Sequence, residues 1–526
     1  DWLTNKVDRC VGGKVAKQQC AGPLQLPLNN VGVMALDYQG KEGIATSIGH
    51  SPLTALISPT AGSRNAIAEA LTNILFAPLE KGLAGVSLSA NWMWPCRNQG
   101  EDARLYEAVQ AASDFAIELG INIPTGKDSL SMKQKYPDGG DVIAPGTVII
   151  SAAAHCTDIQ KVVEPVLKRD GGAIYYINFS NDAYQLGGSA FAQVLGKIGA
   201  TAPTVKDAAE FKKAFNAVQT LISEGRIQAG HDVGSGGLIT TLLEMCFADN
   251  ELGAQIDLTA LGEDDLLKVL FAENVGVVLQ GDSSIAAYLD AQGVRYTKIG
   301  TPIEGENLIL THQGQTYRFN IVECRDVWFL TSYLLDKQQT ANDKATERYQ
   351  NYSEQPLQYT FPAHFTGEKP VRPQGKRPVA AVIREKGSNS EREMANALYL
   401  AGFEVKDVHT TDLTSGRETL EDVQFIGTVG GFSNSDVLGS AKGWAGALLY
   451  NEKAKKALDN FFARPDTLSV GICNGCQLFM ELELINPEHS EHGKMKHNDS
   501  HKHETGFVSV TIPVGYNNSK KAATKR

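Results

Sequence analysis

The sequence has no run of about 20 consecutive apolar residues, the length that a helix needs to cross a lipid bilayer. It also has no excess of positive charge, since 49 Lys and Arg residues against 60 Asp and Glu residues give a formal net charge of −11. Phosphate-backbone binding depends on clustered Lys and Arg, so this balance disfavours a dedicated nucleic-acid binder. We therefore expect neither a membrane nor a nucleic acid as partner, and a small metabolite instead.

Regularly spaced cysteines, low-complexity tracts, tandem repeats and coiled-coil heptads are also absent. The eight cysteines are mostly isolated, which favours reduced thiols over a disulfide framework. With 42% apolar and 21% charged residues, the composition is that of a globular protein rather than a disordered chain. A length of 526 residues exceeds what one hydrophobic core supports. The sequence thus indicates a cytoplasmic enzyme with several domains.

Both ends of the sequence read as parts of larger folds. The chain opens on Asp1 rather than Met, without a helix-capping signal, and closes on the irregular, basic stretch 515–526. We expect that something precedes the first residue and that the last domain is incomplete.

Strand-like apolar runs alternate with helical stretches along most of the chain. Residues 1–155 read as an α/β or α+β domain and residues 156–324 as a second α/β domain. A helix and a polar, proline-spaced linker occupy 325–377. The strand, helix and strand succession that follows predicts a doubly wound parallel sheet within 378–526.

The strongest local signal surrounds Cys473. An apolar strand, 468–472, leads to this cysteine, and a helical pattern follows it. This order is typical of a nucleophile elbow, a tight turn that lifts the side chain into solvent beside a helix N-terminus that stabilises a thiolate. Gly471 and Gly475 leave room for such a turn.

Other interpretations of these residues stay open. Cys473 also fits an ordinary buried thiol, and its spacing from Cys476 is that of thioredoxin-like redox pairs, although no proline or tryptophan flanks the two. Gly430 and Gly431 follow another apolar strand. Their backbone N–H groups are oxyanion-hole candidates for acyl chemistry, but a Gly-Gly turn is also common as a plain loop.

The blocks around these residues resemble the glutaminase domain of the large, single-chain phosphoribosylformylglycinamidine synthases. The matching blocks are 384–390, 430–433 (Gly-Gly-Phe-Ser), 436–439 (Asp-Val-Leu-Gly) and 471–477 (Gly-Ile-Cys-Asn-Gly-Cys-Gln). That domain is a class I glutamine amidotransferase. The resemblance implies that Cys473 attacks the glutamine amide and releases ammonia, with Cys476 as a bystander.

The earlier part of the sequence resembles the second half of the synthetase region in the same family, which belongs to the aminoimidazole ribonucleotide synthetase superfamily. The matching blocks are 21–23, 69–73, 89–93, 100–102, 126–133 and 231–238. The implied chain is a multidomain protein of α/β and α+β class. A pair of synthetase-like α/β domains precedes a doubly wound, flavodoxin-like glutaminase domain.

The resemblance also implies a set of ligand contacts. The Mg²⁺ ligands would be Asn30, where the family usually has aspartate, with Glu69, Asn73 and Asp232. Contacts to ATP or ADP would be Asn29 and Gly234, where a family member has serine, and possible substrate contacts are Gly126 and Ser129. Mg²⁺ prefers such oxygen ligands and shares them with nucleotide phosphates.

The residues themselves are compatible with these roles. Glu69 and Asn73 are spaced i and i+4, so both project from one helix face, which could equally be the solvated face of an amphipathic helix. Asp232 precedes a glycine-rich turn that opens a helix, a favourable place for phosphate. Its neighbour His231 also fits an ordinary core histidine.

The resemblance implies ATP-dependent amidation of formylglycinamide ribonucleotide with ammonia from glutamine. The partners would be glutamine, ATP, that ribonucleotide and the N-terminal synthetase half, which packs against this half as a pseudo-dimer in the family. The family's glutaminase completes its triad with a His-x-Glu well after the stretch that resembles 507–513, and no such motif follows that stretch in this sequence. Two other functions stay open: a non-catalytic assembly module stabilised by nucleotide, and an amidotransferase that serves another acceptor.

Overall fold

The computed structural model describes residues 14–37, 40–354, 360, 363–364, 366, 371, 374–484 and 490–504. These residues divide into two units. Unit 1 contains the described residues up to 354 together with 499–504, and unit 2 contains those from 360 to 498. Among the described helices, none combines the length and the apolar character that crossing a membrane requires.

The first sheet of unit 1 has six strands in the order β1-β4-β5-β10-β6-β7. Only β6 and β7 pair in parallel. The strands of this lobe are β1 (Val15–Lys17), β2 (Cys20–Ala21), β3 (Leu26–Pro27), β4 (Gly32–Ala35), β5 (Gly43–His50), β6 (Ser87–Met93), β7 (Asn122–Ser129), β8 (Lys133–Lys135), β9 (Asp141–Ile143) and β10 (Thr147–Cys156). Its helices are α1 (Pro52–Ile57), α2 (Pro59–Ile74) and α3 (Glu101–Leu119), with 3₁₀ turns at Gly82–Gly85 and Ile159–Lys161.

Helix α2 lies flat on one face of this sheet. It begins with a proline in its first turn and is capped by Ser58, whose hydroxyl accepts from the Ala61 N–H. Strand β5 alternates buried and exposed side chains, as expected for a strand with one covered face. At Gly49, a Cβ would lie 2.2 Å from the Ala66 carbonyl oxygen, so helix and strand are in backbone contact.

The second sheet of unit 1 has seven strands in the order β12-β14-β11-β15-β13-β16-β17, and only β13 and β16 are parallel. Its strands are β11 (Ala173–Asn178), β12 (Ala229–Asp232), β13 (Leu252–Asp257), β14 (Gly276–Gly281), β15 (Thr297–Glu304), β16 (Asn307–His312) and β17 (Gln315–Asn320). The helices are α4 (Ala190–Val194), α5 (Ala208–Ser223), α6 (Gly237–Phe247), α7 (Leu266–Phe271), α8 (Ser283–Ala291), α9 (Ile321–Lys337) and α10 (Lys344–Asn351), with 3₁₀ turns at Thr259–Leu261 and Tyr352–Glu354.

One hydrophobic core joins the two sheets of unit 1. Leu71 of α2 and Phe115 of α3 belong to the same buried cluster as Phe211 of α5 and Tyr175 of β11. Alternate residues of β11 enter a second cluster on the other face of its sheet, where Tyr176 packs. The shared core therefore fixes α2 relative to the second sheet, which positions the cavity described below.

Helix α10 lies within the stretch that the sequence predicted as a linker. The ring of Tyr349 on α10 stacks on Tyr333 of α9, with centroids 4.4 Å apart. A segment from Asp499 returns to this region, where the Asp499 carbonyl accepts from Asn342 Nδ2 at 2.7 Å. The sequence did not predict α10, because its surroundings are polar and rich in proline. The helix is stabilised by packing rather than by an apolar stripe of its own.

Unit 2 contains a four-stranded parallel sheet in the order β20-β18-β21-β23, and a separate pair β19-β22. The strands are β18 (Val379–Arg384), β19 (Ser388–Asn389), β20 (Glu404–His409), β21 (Phe425–Thr428), β22 (Gly430–Gly431) and β23 (Leu468–Gly471). The helices are α11 (Glu391–Leu400), α12 (Thr410–Ser415), α13 (Lys442–Leu449), α14 (Glu452–Ala463) and α15 (Asn474–Glu481), with a 3₁₀ turn at Ser433–Asp436.

Both faces of this parallel sheet are covered by helices. Ala380 and Val382 of β18 pack in a cluster with Leu398 of α11, whereas Ala381 and Ile383 belong to the cluster on the opposite face. The strand order and the two covered faces are those of a flavodoxin-like, doubly wound fold. The prediction of such a sheet from residue 379 onward is confirmed.

The backbone contact at Gly49 generates a stability prediction. Gly49→Ala should lower the free energy of unfolding of unit 1 by about 1–3 kcal/mol, because the added methyl must displace the α2 backbone. Chemical denaturation followed by circular dichroism measures this change. Gly32→Ala on the neighbouring strand is the matched control, since its Cβ would meet Thr46 Oγ1 at 3.4 Å and the Thr46 carbonyl oxygen at 4.0 Å, both ordinary contacts. Equal stability of the two variants would contradict the close packing.

Candidate functional site

A cavity of about 880 Å³ lies in unit 1 between the first sheet, helix α2 and the loop after β12. Its floor is the face of the sheet that α2 does not cover, with Thr46 and Ile48 of β5 and Ser151 of β10. All six residues predicted to bind Mg²⁺ or nucleotide line it, namely Asn29, Asn30, Glu69, Asn73, Asp232 and Gly234. Three distant parts of the sequence thus meet in one space.

Asp232 ends strand β12 and is almost fully buried. Its Oδ1 accepts from Asn30 Nδ2 at 2.9 Å and lies 3.0 Å from His231 Nδ1. Burial by itself raises the pKa of Asp232, but the hydrogen bond and charge of His231, helped by Asn30, lower it overall. Asp232 therefore stays ionised in a site that excludes most water.

His231 lies between two carboxylates. Its Nε2 is 3.0 Å from Glu244 Oε2, and its Nδ1 faces Asp232. Burial alone lowers the pKa of His231, but the hydrogen bonds and charges of Asp232 and Glu244 raise it to about 10. Glu244 also accepts from Trp328 Nε1 at 2.9 Å. His231 is thus both a buried histidine and a wall of the cavity.

Glu69 projects from α2 into the cavity rather than into solvent. Its Oε2 accepts from the His50 N–H at 2.6 Å. Burial raises the pKa of Glu69 to about 8, although the hydrogen bond from His50 lowers it. The charges of Asp232 and Glu273 add to the rise. Nearly every residue of α2 is buried, so the alternative of a solvated amphipathic helix face is wrong.

Two amide oxygens in the cavity wall lack a hydrogen-bond partner within the described chain. Asn73 donates from Nδ2 to the Ile48 carbonyl at 2.9 Å, but its Oδ1 is buried and unpaired. Asn29 donates to the carbonyls of Gln18 and Cys20, and its Oδ1 is also unpaired. A buried acceptor without a partner costs about 1–3 kcal/mol, so such atoms point to a bound ligand.

The charge of the cavity favours a divalent cation. Its wall includes the carboxylates of Glu69, Asp232 and Glu244, and none of the described residues that line it is a lysine or an arginine. Nucleotide phosphates would meet net negative charge there unless a cation came with them. Carboxylate and amide oxygens are ligand types that Mg²⁺ accepts, so the residues fit this ion by type, and the two asparagines would have to complete a set that the described His, Cys, Asp and Glu residues do not form alone.

Two predicted contacts lie outside this cavity. Gly126 and Ser129 are on β7, whose earlier residues Pro124 and Thr125 do line it. At Gly126 a Cβ would lie 2.2 Å from the Ala90 carbonyl oxygen, so this glycine is needed for the pairing of β7 with β6. Their role in substrate binding stays a prediction.

Sequence reasoning missed His50 and Glu244 in the cavity wall. His50 contributes its backbone N–H to Glu69, and a backbone donor carries no signal in the sequence. Glu244 did carry a signal, because it is the one charged residue of the mostly apolar helix α6. A lone charge in a helix buried on several sides needs a buried partner, and His231 supplies it.

In unit 2, Cys473 occupies the turn between β23 and α15. Its backbone has φ 53° and ψ −112°, a conformation that costs a non-glycine residue roughly 1–3 kcal/mol and is concentrated at functional sites. The side chain is exposed, so the alternative of a buried structural thiol is wrong. At Gly475 a Cβ would lie 2.4 Å from the Thr428 carbonyl oxygen, which explains why the turn requires glycine there.

The predicted oxyanion glycines adjoin this cysteine. A Cβ on Gly430 would lie 3.3 Å from Cys473 Cβ and 3.8 Å from its Sγ. Gly431 has φ 109° and belongs with Gly430 to strand β22, which pairs with β19. Asn474 is buried behind the turn, and its Oδ1 accepts from the Ser433 N–H at 3.1 Å. The turn at Cys473 and the glycine loop are therefore tied together by the Asn474 side chain between them.

Three family models match the chain in succession. They describe an FGAR-AT PurM_N-like domain over residues 1–155, an AIR synthase related protein C-terminal domain over 169–313, and a CobB/CobQ-like glutamine amidotransferase domain over 377–522. Among solved structures, Thermotoga maritima PurL complexed with FGAR is 16% identical with a TM-score of 0.46, covering 56% of this chain and 48% of that one. The hydrogenase maturation protein HypE in complex with ATP has a TM-score of 0.35 at 16% identity, covering 54% of this chain and 86% of that one.

Curated relatives match nearly the whole chain. The probable phosphoribosylformylglycinamidine synthase of Arabidopsis thaliana is 40% identical over 97% of this chain and 37% of its own length. The human phosphoribosylformylglycinamidine synthase is 40% identical over 98% of this chain and 40% of its own length, and that of Drosophila melanogaster 38% identical over 97% and 40%. The chain thus spans 37% to 40% of the length of these relatives, and over nearly all of its own length it is similar to phosphoribosylformylglycinamidine synthases.

Proposed function

We propose that this chain takes part in the ATP-dependent amidation of formylglycinamide ribonucleotide with ammonia from glutamine. Unit 1 contributes a magnesium–nucleotide site and unit 2 the nucleophile that hydrolyses glutamine. The observation that carries the first role is the convergence of Glu69, Asn73 and Asp232 on one cavity beside Gly234. The strained, exposed turn at Cys473 carries the second.

In the nucleotide site, Glu69 and Asp232 would supply charged oxygens to Mg²⁺, and Asn30 and Asn73 neutral amide oxygens. The ion would neutralise phosphate charge and so allow ATP or ADP to lie beside carboxylates. The N-terminus of α6, which begins at Gly237 after the glycine turn, offers backbone N–H groups to a phosphate. A further carboxylate, that of the partly buried Glu273, accepts from the Gly236 N–H at 2.8 Å and so fixes the shape of that turn.

In the glutaminase site, the Cys473 thiolate would attack the side-chain amide carbon of glutamine. The carbonyl oxygen becomes an oxyanion, for which backbone N–H groups at Gly430 and Gly431 are the proposed donors. Collapse of this intermediate breaks the C–N bond, and protonated nitrogen leaves as ammonia. Water then hydrolyses the thioester, which releases glutamate and regenerates the thiol.

The partner half of the synthetase has a candidate surface on unit 1. Met34, Ile44 and Ile48 are 54%, 45% and 56% exposed on the uncovered face of the first sheet. Clustered apolar side chains on a sheet face favour a protein partner. We propose that the family's N-terminal synthetase half packs there, and that Gly126 and Ser129 contact the ribonucleotide near that contact.

The cytoplasm is the proposed location, since isolated cysteines favour a reducing compartment.

The nucleotide site is tested with Glu69→Gln. The neutral isostere removes one charge from the proposed ion, so the Mg²⁺-dependent affinity for ADP should fall by more than the roughly 10–100-fold that the loss of an outer-shell group costs. The fold should be retained, since a buried amide is less costly than a buried carboxylate. Calorimetric titration of ADP with and without Mg²⁺ measures the effect.

The matched control is Glu118→Gln on α3, whose carboxylate is half-exposed and lies 3.5 Å from Arg64 outside the cavity wall. It should bind ADP as the unaltered chain does. Unchanged Mg²⁺ dependence in Glu69→Gln would remove this residue from the site, and the absence of ADP binding to the unaltered chain would overturn the proposed nucleotide role.

The glutaminase role is tested with a chloroketone analogue of glutamine, which alkylates a nucleophilic thiol in a glutamine site. We expect one adduct per chain, on Cys473, and protection by excess glutamine. Intact-mass and peptide mass spectrometry identify the labelled residue. Cys473→Ala should abolish the labelling, whereas Cys476→Ala should keep it. Labelling of other cysteines at the same rate, without protection by glutamine, would refute the nucleophile assignment.

A further inference from the structure

Four side chains form a series of hydrogen bonds that leads from helix α9 to the cavity. Trp328 Nε1 on α9 donates to Glu244 Oε1 at 2.9 Å, and Glu244 Oε2 lies 3.0 Å from His231 Nε2. His231 Nδ1 in turn lies 3.0 Å from Asp232 Oδ1. Both carboxylate oxygens of Glu244 are thus engaged by protein groups, so Glu244 acts on the cavity through His231.

These hydrogen bonds make the two carboxylate oxygens of Asp232 inequivalent. Oδ1 faces His231 and also accepts from Asn30 Nδ2 at 2.9 Å. Oδ2 lies on the side of the glycine turn, 3.4 Å from where a Cβ on Gly234 would be. Only Oδ2 is therefore directed toward the part of the cavity where a phosphate and its cation would lie.

Burial gives this arrangement its rigidity. His231 and Asp232 are 5% and 3% exposed, so neither can replace a lost partner with bulk water. The ring of Trp328 is itself packed against Phe247 and Phe329, which fixes the far end of this series of hydrogen bonds. Removing the Glu244 charge would leave His231 with one carboxylate partner, so its ring would be less firmly held and Asp232 would be oriented mainly by Asn30.

We propose that Glu244 is a positioning residue, which holds His231 so that Asp232 presents Oδ2 to the divalent cation. This inference rests on the proposed function, in which Asp232 is a ligand of Mg²⁺. Outer-shell partners of this kind fix the orientation of metal ligands, and their loss typically lowers metal affinity by about 10–100-fold. Glu244 is the one charged residue of α6, and its carboxylate lies 3.0 Å from His231 Nε2.

The test titrates Mn²⁺, as a paramagnetic stand-in for Mg²⁺, into the full chain with saturating ADP, and counts free Mn²⁺ by electron paramagnetic resonance. Glu244→Gln should bind Mn²⁺ about 10–100-fold more weakly. Its circular dichroism spectrum and its cooperative thermal unfolding should be retained, which a general loss of structure would not allow. Glu251→Gln, an exposed carboxylate paired with Arg169, is the control and should bind Mn²⁺ normally.

A double-mutant cycle separates positioning from other roles. If Glu244 acts through Asp232, Glu244→Gln should cause no further loss in an Asp232→Asn background. Additive losses would overturn the proposal, since they would mean that Glu244 contacts the ion directly or supports the fold. If thermal denaturation shows that Glu244→Gln does not fold, Trp328→Phe tests the same series of hydrogen bonds from its other end.

Wild-type Mn²⁺ affinity in a folded Glu244→Gln, or in Trp328→Phe when that variant stands in for it, also overturns the proposal. Failure of the proposed function has a different signature: the unaltered chain then binds no Mn²⁺ in the presence of ADP.

Discussion

Two acidic side chains that are taken out of water in one cavity, Glu69 and Asp232, are the constraint on which the candidate site of unit 1 depends. Each faces a desolvation penalty, and each meets it differently. Asp232 stays ionised because His231 and Asn30 bind its Oδ1. Glu69 has only the His50 N–H, and burial raises its pKa to about 8. A divalent cation between them would stabilise both charged forms.

The surrounding structure holds the carboxylates of Glu69 and Asp232 where a cation between them would have to be a bound ligand. The core that α2 shares with α5 and β11 brings Glu69 to the end of β12, although 163 residues separate the two carboxylates in the sequence numbering. The unpaired amide oxygens of Asn29 and Asn73 complete the set. Unit 2 uses another device, backbone strain at Cys473, which glycines at 471 and 475 make sterically possible. Unit 1 therefore holds the buried carboxylates and amide oxygens, and unit 2 holds the strained cysteine.

The sequence predicted the parts that depend on local pattern. The strand, helix and strand order from Val379 and the elbow at Cys473 are readable because parallel sheets place short apolar strands before helices. The i, i+4 spacing of Glu69 and Asn73 indicated a common face but not its environment. Solvent and cavity look alike in a local pattern, so only the family resemblance favoured the cavity.

What the sequence could not give depends on contacts distant along the chain. Helix α10 is held by Tyr333 and by a segment from Asp499, so its own residues read as a linker. Glu244 is tied to Trp328, 84 residues away. Asn30 binds Asp232 across 202 residues, and neither end of that hydrogen bond predicts the other.

The most direct test of the shared cation is a crystal structure of the chain grown with ADP and Mn²⁺, with anomalous scattering used to locate the ion. We expect an anomalous peak within about 2.0–2.4 Å of oxygens of Glu69, Asn73 and Asp232, bridged to a nucleotide phosphate. ADP bound in the cavity with the ion elsewhere, or a peak that only one of these side chains reaches, would contradict a cation held in common.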